Sequence, residues 1–146
     1  HLEACLLDSL KKRVNFLEET FALLKLENIT AIHGRAEEFA KNKAYREQYD
    51  LCVSRAVSNL ATLSEYCLPY VKVGGNFISY KSGTVQEELQ QAEKAVKILG
   101  GKIQDVVYFN LPDSEIQRSL VVIEKMKPTP GRYPRKAGTP LKEPLS

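Results

Sequence analysis

Short apolar runs of strand length alternate with stretches of helical periodicity through the first 125 residues, and that alternation leaves few architectures open. The run at 2–8, Leu-Glu-Ala-Cys-Leu-Leu-Asp, is apolar and closes on an acid, so it reads as a buried strand. Leu10, Val14, Leu17, Phe21 and Leu24 then recur at three- and four-residue intervals, one face of a helix over 10–26 with Ser9 as its cap. A second strand at 29–33 and a short helix at 36–43 follow, then a third strand at 50–55. Ser58 or Asn59 caps the next helix, which turns Leu60, Leu63, Cys67 and Tyr70 or Val71 inward; Pro69 should kink it and Gly74-Gly75 end it. After a fourth strand at 76–81, Thr84 and Glu87 form a capping box for a helix with Val85, Leu89, Ala92, Val96 and Leu99 on one face. Strands at 102–109 and 119–125 have no helix between them and are expected to pair antiparallel at the sheet edge. The order predicts a mostly parallel sheet with helices on both faces.

The 146 residues suffice for one domain, and with 43% hydrophobic and 27% charged residues they can fill a core. No run of ~18 apolar residues occurs, so no membrane span is expected. Cys5, Cys52 and Cys67 sit in apolar runs without metal-ligand spacing, which predicts buried free thiols in a reducing cytoplasm and no metal. The net charge of +3 is unevenly placed: residues 126–146 carry +4 and five of the seven prolines, leaving −1 for the rest. This divides the chain into a domain at 1–125 and a basic, proline-rich tail at 126–146, without regular structure and suited to a polyanionic partner.

Open parallel sheets bind ligands beyond the carboxyl ends of their strands. Asp8 closes the first strand, where a carboxylate can accept from both hydroxyls of a ribose, or equally cap the next helix. Arg35-Ala36-Glu37-Glu38 follows the second strand; a backbone N–H and a carboxylate there could read an adenine edge, though acids also suit a helix's first turn. Arg55 and Lys81 end the third and fourth strands, and each needs a partner: a ligand, a carboxylate or a phosphate. Lys11-Lys12-Arg13 lies at the helix end that the dipole disfavours, which implies a compensating contact or a solvated face. In the tail, Arg132, Arg135 and Lys136 flank Tyr133, a pattern that can follow phosphates and stack a base, or simply a free terminus.

Five strings in order along nearly the whole chain resemble the GidB/RsmG family of small-subunit rRNA methyltransferases. They are Leu6-Leu7-Asp8-Ser9-Leu10-Lys11-Lys12-Arg13, Leu26-Glu27-Asn28, Arg35-Ala36-Glu37-Glu38, Ser54-Arg55-Ala56-Val57 and Tyr133-Pro134-Arg135-Lys136-Ala137-Gly138-Thr139-Pro140. The resemblance implies an α/β class I methyltransferase fold, Rossmann-like, and methyl transfer from S-adenosyl-L-methionine to N7 of a guanine in 16S rRNA, with the rRNA or the small ribosomal subunit as partner. It assigns Asp8, with Ser9 beside it, to the ribose, Ala36 and Glu37 to the adenine, and Arg55 to the rim between cofactor and substrate. Arg13, Lys81, Arg132, Arg135 and Lys136 become RNA contacts. No catalytic residue is expected, because guanine N7 carries a lone pair and no proton; His33 is left to the core or the surface.

In that family a first strand and a glycine-rich loop precede the position of Asp8, whereas here only seven residues do, with no Gly-x-Gly. A fragment without the N-terminal helices, first strand and loop is therefore expected, with little cofactor affinity of its own. Two other readings stay open on the residues alone. An acid closing a strand suits an NAD-binding domain, and the basic tail suits an RNA-binding module without catalysis.

Overall fold

The computed structural model describes residues 2–55 and 58–146; His1 lies outside the described residues, as do Ala56 and Val57, the end of the Ser-Arg-Ala-Val string. The chain runs β1 (Ala4–Asp8), α1 (Lys11–Leu23), β2 (Ile29–His33), α2 (Ala36–Phe39), β3 (Tyr49–Ser54), α3 (Leu60–Cys67), a 3-10 turn (Leu68–Tyr70), β4 (Val71–Ser82), α4 (Gln86–Ile98), β5 (Gly101–Asn110), β6 (Gln117–Lys125) and α5 (Thr139–Lys142). The expected order of elements is present throughout, and the expected tail gains one short helix.

The strands form two sheets. β1 and β2 pair in parallel, with Asp8 opposite His33. The other four lie in the order β3-β4-β6-β5, parallel between β3 and β4 and antiparallel on either side of β6. Among the described residues no strand pairs with the outer edge of β3, where Leu51 and Val53 are 52% and 67% exposed. The core lies on the opposite face, where α3 and α4 cover the sheet. Leu60, Leu63 and Leu68 meet Phe77, Val121 and Ile123 there, and Val85, Ala92, Val96 and Leu99 of the α4 stretch close over them as the helical spacing predicted.

Four local expectations need correction. Ser9 does not cap α1: Leu10 holds the N-cap position without a side-chain bond, and the Asp8 carboxylate takes the Leu10 N–H instead. Thr84 forms no capping box, because Val85 is buried in the core at the N-cap position and α4 starts a residue later. Pro69 ends α3 rather than kinking it, since the chain tightens into the 3-10 turn there. Gly74-Gly75 stops no helix; it lies inside β4, which begins at Val71 and slips in register against β3 between Tyr49 and Leu51. Asn59 does cap α3, its Oδ1 accepting from the Thr62 N–H at 2.9 Å.

The tail is a strap rather than a free arm. Thr129, Tyr133 and Pro140 are buried, and Tyr133 belongs to the core cluster. Thr129 Oγ1 donates to the Leu99 carbonyl at 2.6 Å, and Thr62 Oγ1 on α3 donates to the Pro140 carbonyl at 2.9 Å. The strap departs from β6 at Lys125, a fully buried lysine whose Nζ donates to the Leu68 and Val71 carbonyls at 2.7 and 2.8 Å and pairs with Glu47 at 3.1 Å.

Candidate functional site

The carboxyl ends of β1 and β2 lie side by side. One oxygen of Asp8 accepts the Leu10 N–H at 2.9 Å; the other faces the Arg13 guanidinium at 3.6 Å. The carboxylate therefore serves the start of α1 and is still a quarter exposed, so the local and ligand roles of an acid at this position coexist. Ser9 is exposed, and its carbonyl lies 3.1 Å from His33 Nε2, which fixes the turn leaving β1 against the end of β2. His33 is thereby given a structural contact. Gly34 N–H donates to the Asp8 carbonyl at 3.0 Å, and a Cβ at Gly34 would meet the Phe39 ring at 2.0 Å. Glycine is what lets the chain turn this tightly from β2 into α2.

α2 presents Ala36 and Glu37. The Ala36 carbonyl accepts from the Tyr70 hydroxyl at 2.6 Å. Glu37 is 5% exposed, and its Oε2 has no hydrogen-bond partner among the described atoms. The Tyr66 phenol sits against the same carboxylate; burial, with Glu37 adding to it, pushes the tyrosine pKa up. A buried carboxylate with one oxygen unsatisfied is costly unless something donates to it. Tyr66 was not singled out from the sequence and Tyr70 only as an inward position, because each reads there as an ordinary apolar position on or after α3.

At the ends of β3 and β4, Arg55 is exposed and rests over the Tyr80 ring, 5.6 Å from its centroid. Tyr80 in turn meets Phe109 edge-on at 6.2 Å, and Phe109 lies opposite Arg118. Sequence reasoning missed Arg118, which starts an apolar strand and acquires its neighbours through the β4–β6 and β5–β6 pairing.

Lys81 does not project from its strand end as an RNA contact would. Its side chain is 9% exposed, donating to the Ser58 carbonyl at 2.6 Å and pairing with Glu88 at 2.7 Å. Arg135 is likewise turned inward. Its Nε and Nη2 grip the two oxygens of Glu65, a residue with no exposed side-chain surface, at 3.0 and 2.9 Å, and Nη2 also donates to the Glu143 carbonyl. Both residues leave the set of expected RNA contacts for a physical reason: their cationic heads already have partners inside the protein. Arg132, over the Tyr133 ring at 5.2 Å, and Lys136 remain exposed, as does Arg13. The three cysteines are free thiols, half-buried. The neighbouring Cys52 thiol together with burial pushes the Cys67 thiol well up.

This arrangement is the fold of the class I methyltransferases. TYW2 of M. jannaschii, solved with AdoMet, matches it with a TM-score of 0.63 at 11% identity, over 85% of this chain and 58% of that one. The fibrillarin pre-rRNA processing protein of Methanococcus jannaschii matches with 0.61 at 19% identity, over 86% and 57%. Within the class, the family model described as GidB, rRNA small subunit methyltransferase G, matches residues 1–121, and the chain belongs to that family. Ribosomal RNA small subunit methyltransferase G of Lachnoclostridium phytofermentans is 56% identical over 144 residues, and that of Clostridium tetani 52% over 143. These alignments take in 99% and 98% of this chain, which spans 60% of the length of either relative.

Proposed function

We propose that the protein transfers a methyl group from S-adenosylmethionine to N7 of a guanine in 16S rRNA. The observation that carries the reading is that a chain of this family keeps Asp8 and Glu37 at and just beyond the ends of two adjacent parallel strands. The residues suit an adenosyl group on their own chemistry. The unsatisfied oxygen of Glu37 is an acceptor of the kind an exocyclic amine fills, and the Asp8 carboxylate, held by Leu10 and Arg13, keeps acceptor capacity for hydroxyls.

S-adenosylmethionine supplies a methyl group on a sulfonium sulfur, open to attack by an aligned lone pair. Guanine N7 offers one without a proton to remove, so the protein's task is orientation and exclusion of water rather than general-base catalysis. Arg55, exposed at the end of β3 on the Tyr80 ring, suits the rim where base and cofactor meet. Arg13, Arg132 and Lys136, exposed and basic, suit RNA phosphates. Ribosomal RNA as substrate sets the work in the cytoplasm, and among the described residues no helix is long and apolar enough to cross a membrane.

The test is methylation of 16S rRNA and of small ribosomal subunits by the full-length protein with methyl-labelled S-adenosylmethionine, followed by nucleoside analysis. Label is expected in 7-methylguanosine. Label in another nucleoside, or none in either substrate, refutes the reading.

A further inference from the structure

Arg46 precedes β3 in a loop that no motif marks, yet its guanidinium donates to four backbone carbonyls. Nη1 reaches Ala40 at 3.2 Å and Tyr133 at 2.8 Å; Nη2 reaches Thr129 at 3.0 Å and Pro130 at 3.2 Å. Ala40 is the C-cap of α2, and the other three belong to the strap. α2 is a single turn with Ala36 and Glu37 at its opposite end, where the Tyr70 hydroxyl braces it. The turn that carries the adenine-side residues is thus held between two side chains, and one of them is also a clasp on the C-terminal strap.

We propose that Arg46 is a positioning residue that couples the strap to the adenine end of the cofactor pocket, so that ordering either one favours the other. The inference rests on the cofactor reading of Asp8 and Glu37 given above. The guanidinium suits this role because its planar fork presents donors in two directions at once. A lysine ammonium has three donors on a single atom and cannot meet all four carbonyls. Other strap anchors lack the connection: Thr129 Oγ1 ends on Leu99 and Arg135 on Glu65 and Glu143, none of which is in α2. By linkage, whatever the strap gains when the cofactor binds, the cofactor gains when the strap is seated.

The experiment compares Arg46→Lys, Thr129→Val and Asp8→Ala in the intact protein. S-adenosylmethionine affinity is read by titration calorimetry, and hydrogen exchange at the Tyr133 amide, which bonds to the Pro130 carbonyl at 3.0 Å, with and without the cofactor. Arg46→Lys is expected to weaken cofactor binding about 5-fold or more, the low end of measured couplings. It should also abolish the slowing of Tyr133 exchange that the cofactor causes in the unmodified protein. Thr129→Val loses the hydroxyl bond to Leu99 but keeps the carbonyl that Arg46 holds, so the clasp stays seated; it should lower the melting temperature while leaving cofactor affinity unchanged. If Arg46→Lys behaves like Thr129→Val while Asp8→Ala still weakens binding, the coupling is refuted and Arg46 only fastens the strap. If Asp8→Ala also leaves affinity unchanged, the cofactor reading itself fails and takes the coupling with it.

Discussion

Asp8 holds two partners at once, and that decides what its removal does. Replacing it with alanine takes away the acceptor of the Leu10 N–H, a loss on the scale of a helix cap, about 1 kcal/mol. The same change should weaken S-adenosylmethionine binding by about 1–3 kcal/mol, the cost of leaving hydroxyls unpaired. Calorimetry and a melting curve separate the two, and unchanged affinity would take Asp8 out of the site. Lys125 is a residue of the opposite kind, buried with all its partners inside the protein. Lys125→Met would take one donor from Glu47 and from each of the Leu68 and Val71 carbonyls and should cost about 3 kcal/mol in denaturant unfolding. Burial holds this lysine's pKa below its ordinary value, with Glu47 partly offsetting it. The folded protein therefore releases the proton first, and between the lowered pKa and the ordinary lysine value the unfolded chain binds more protons. Stability should climb with pH across that window on account of this group, and the climb should vanish in Lys125→Met.

At the scale of elements, α3 and the strap act as one unit. Glu65 has no exposed side-chain surface, whereas Arg135 is 26% exposed, so breaking the pair from its two sides is not equivalent. Arg135→Ala takes the charge partner from a buried carboxylate, leaving it only the backbone N–H of position 135, and should destabilise by about 3 kcal/mol; Glu65→Ala leaves a guanidinium that can turn to water and should cost less. Equal losses in urea titrations of the two variants would contradict that asymmetry. α2 shows how little of a short element its own sequence decides. Acids in its first turn are legible, but its position depends on Gly34 admitting the Phe39 ring, on Tyr70 and on Arg46, none of which belongs to the helix pattern.

For the molecule as a whole, the strap turns a basic tail into a basic surface with one cation fewer than its composition suggests, because Arg135 is paired within the protein. If Arg132 and Lys136 grip phosphates, changing both to Ala should flatten the slope of log RNA affinity against log salt by about 1.4–1.8 units. Methylation should suffer in KM more than in kcat, since such contacts hold substrate and transition state alike. Arg135→Ala, if it stays folded, should leave the slope unchanged. A slope that falls equally for Arg135→Ala would return that residue to the RNA surface.

The periodicity of the apolar residues by itself determined the order of strands and helices and the face of α4, because those depend on neighbours a few positions apart. The strings around Asp8, Arg35 and Tyr133 likewise pointed to the family, which the match over residues 1–121 and the relatives aligned over 99% and 98% of the chain bear out. The roles of individual charges were decided elsewhere. An acid that ends a strand and an arginine in a proline-rich tail look alike whether they face solvent, ligand or one another. Glu65 with Arg135, Glu88 with Lys81 and Glu47 with Lys125 are partners brought together across 70, 7 and 78 positions. Only the packed structure makes such pairs, since a charge can enter the interior only where a partner's position is already fixed by the elements around it.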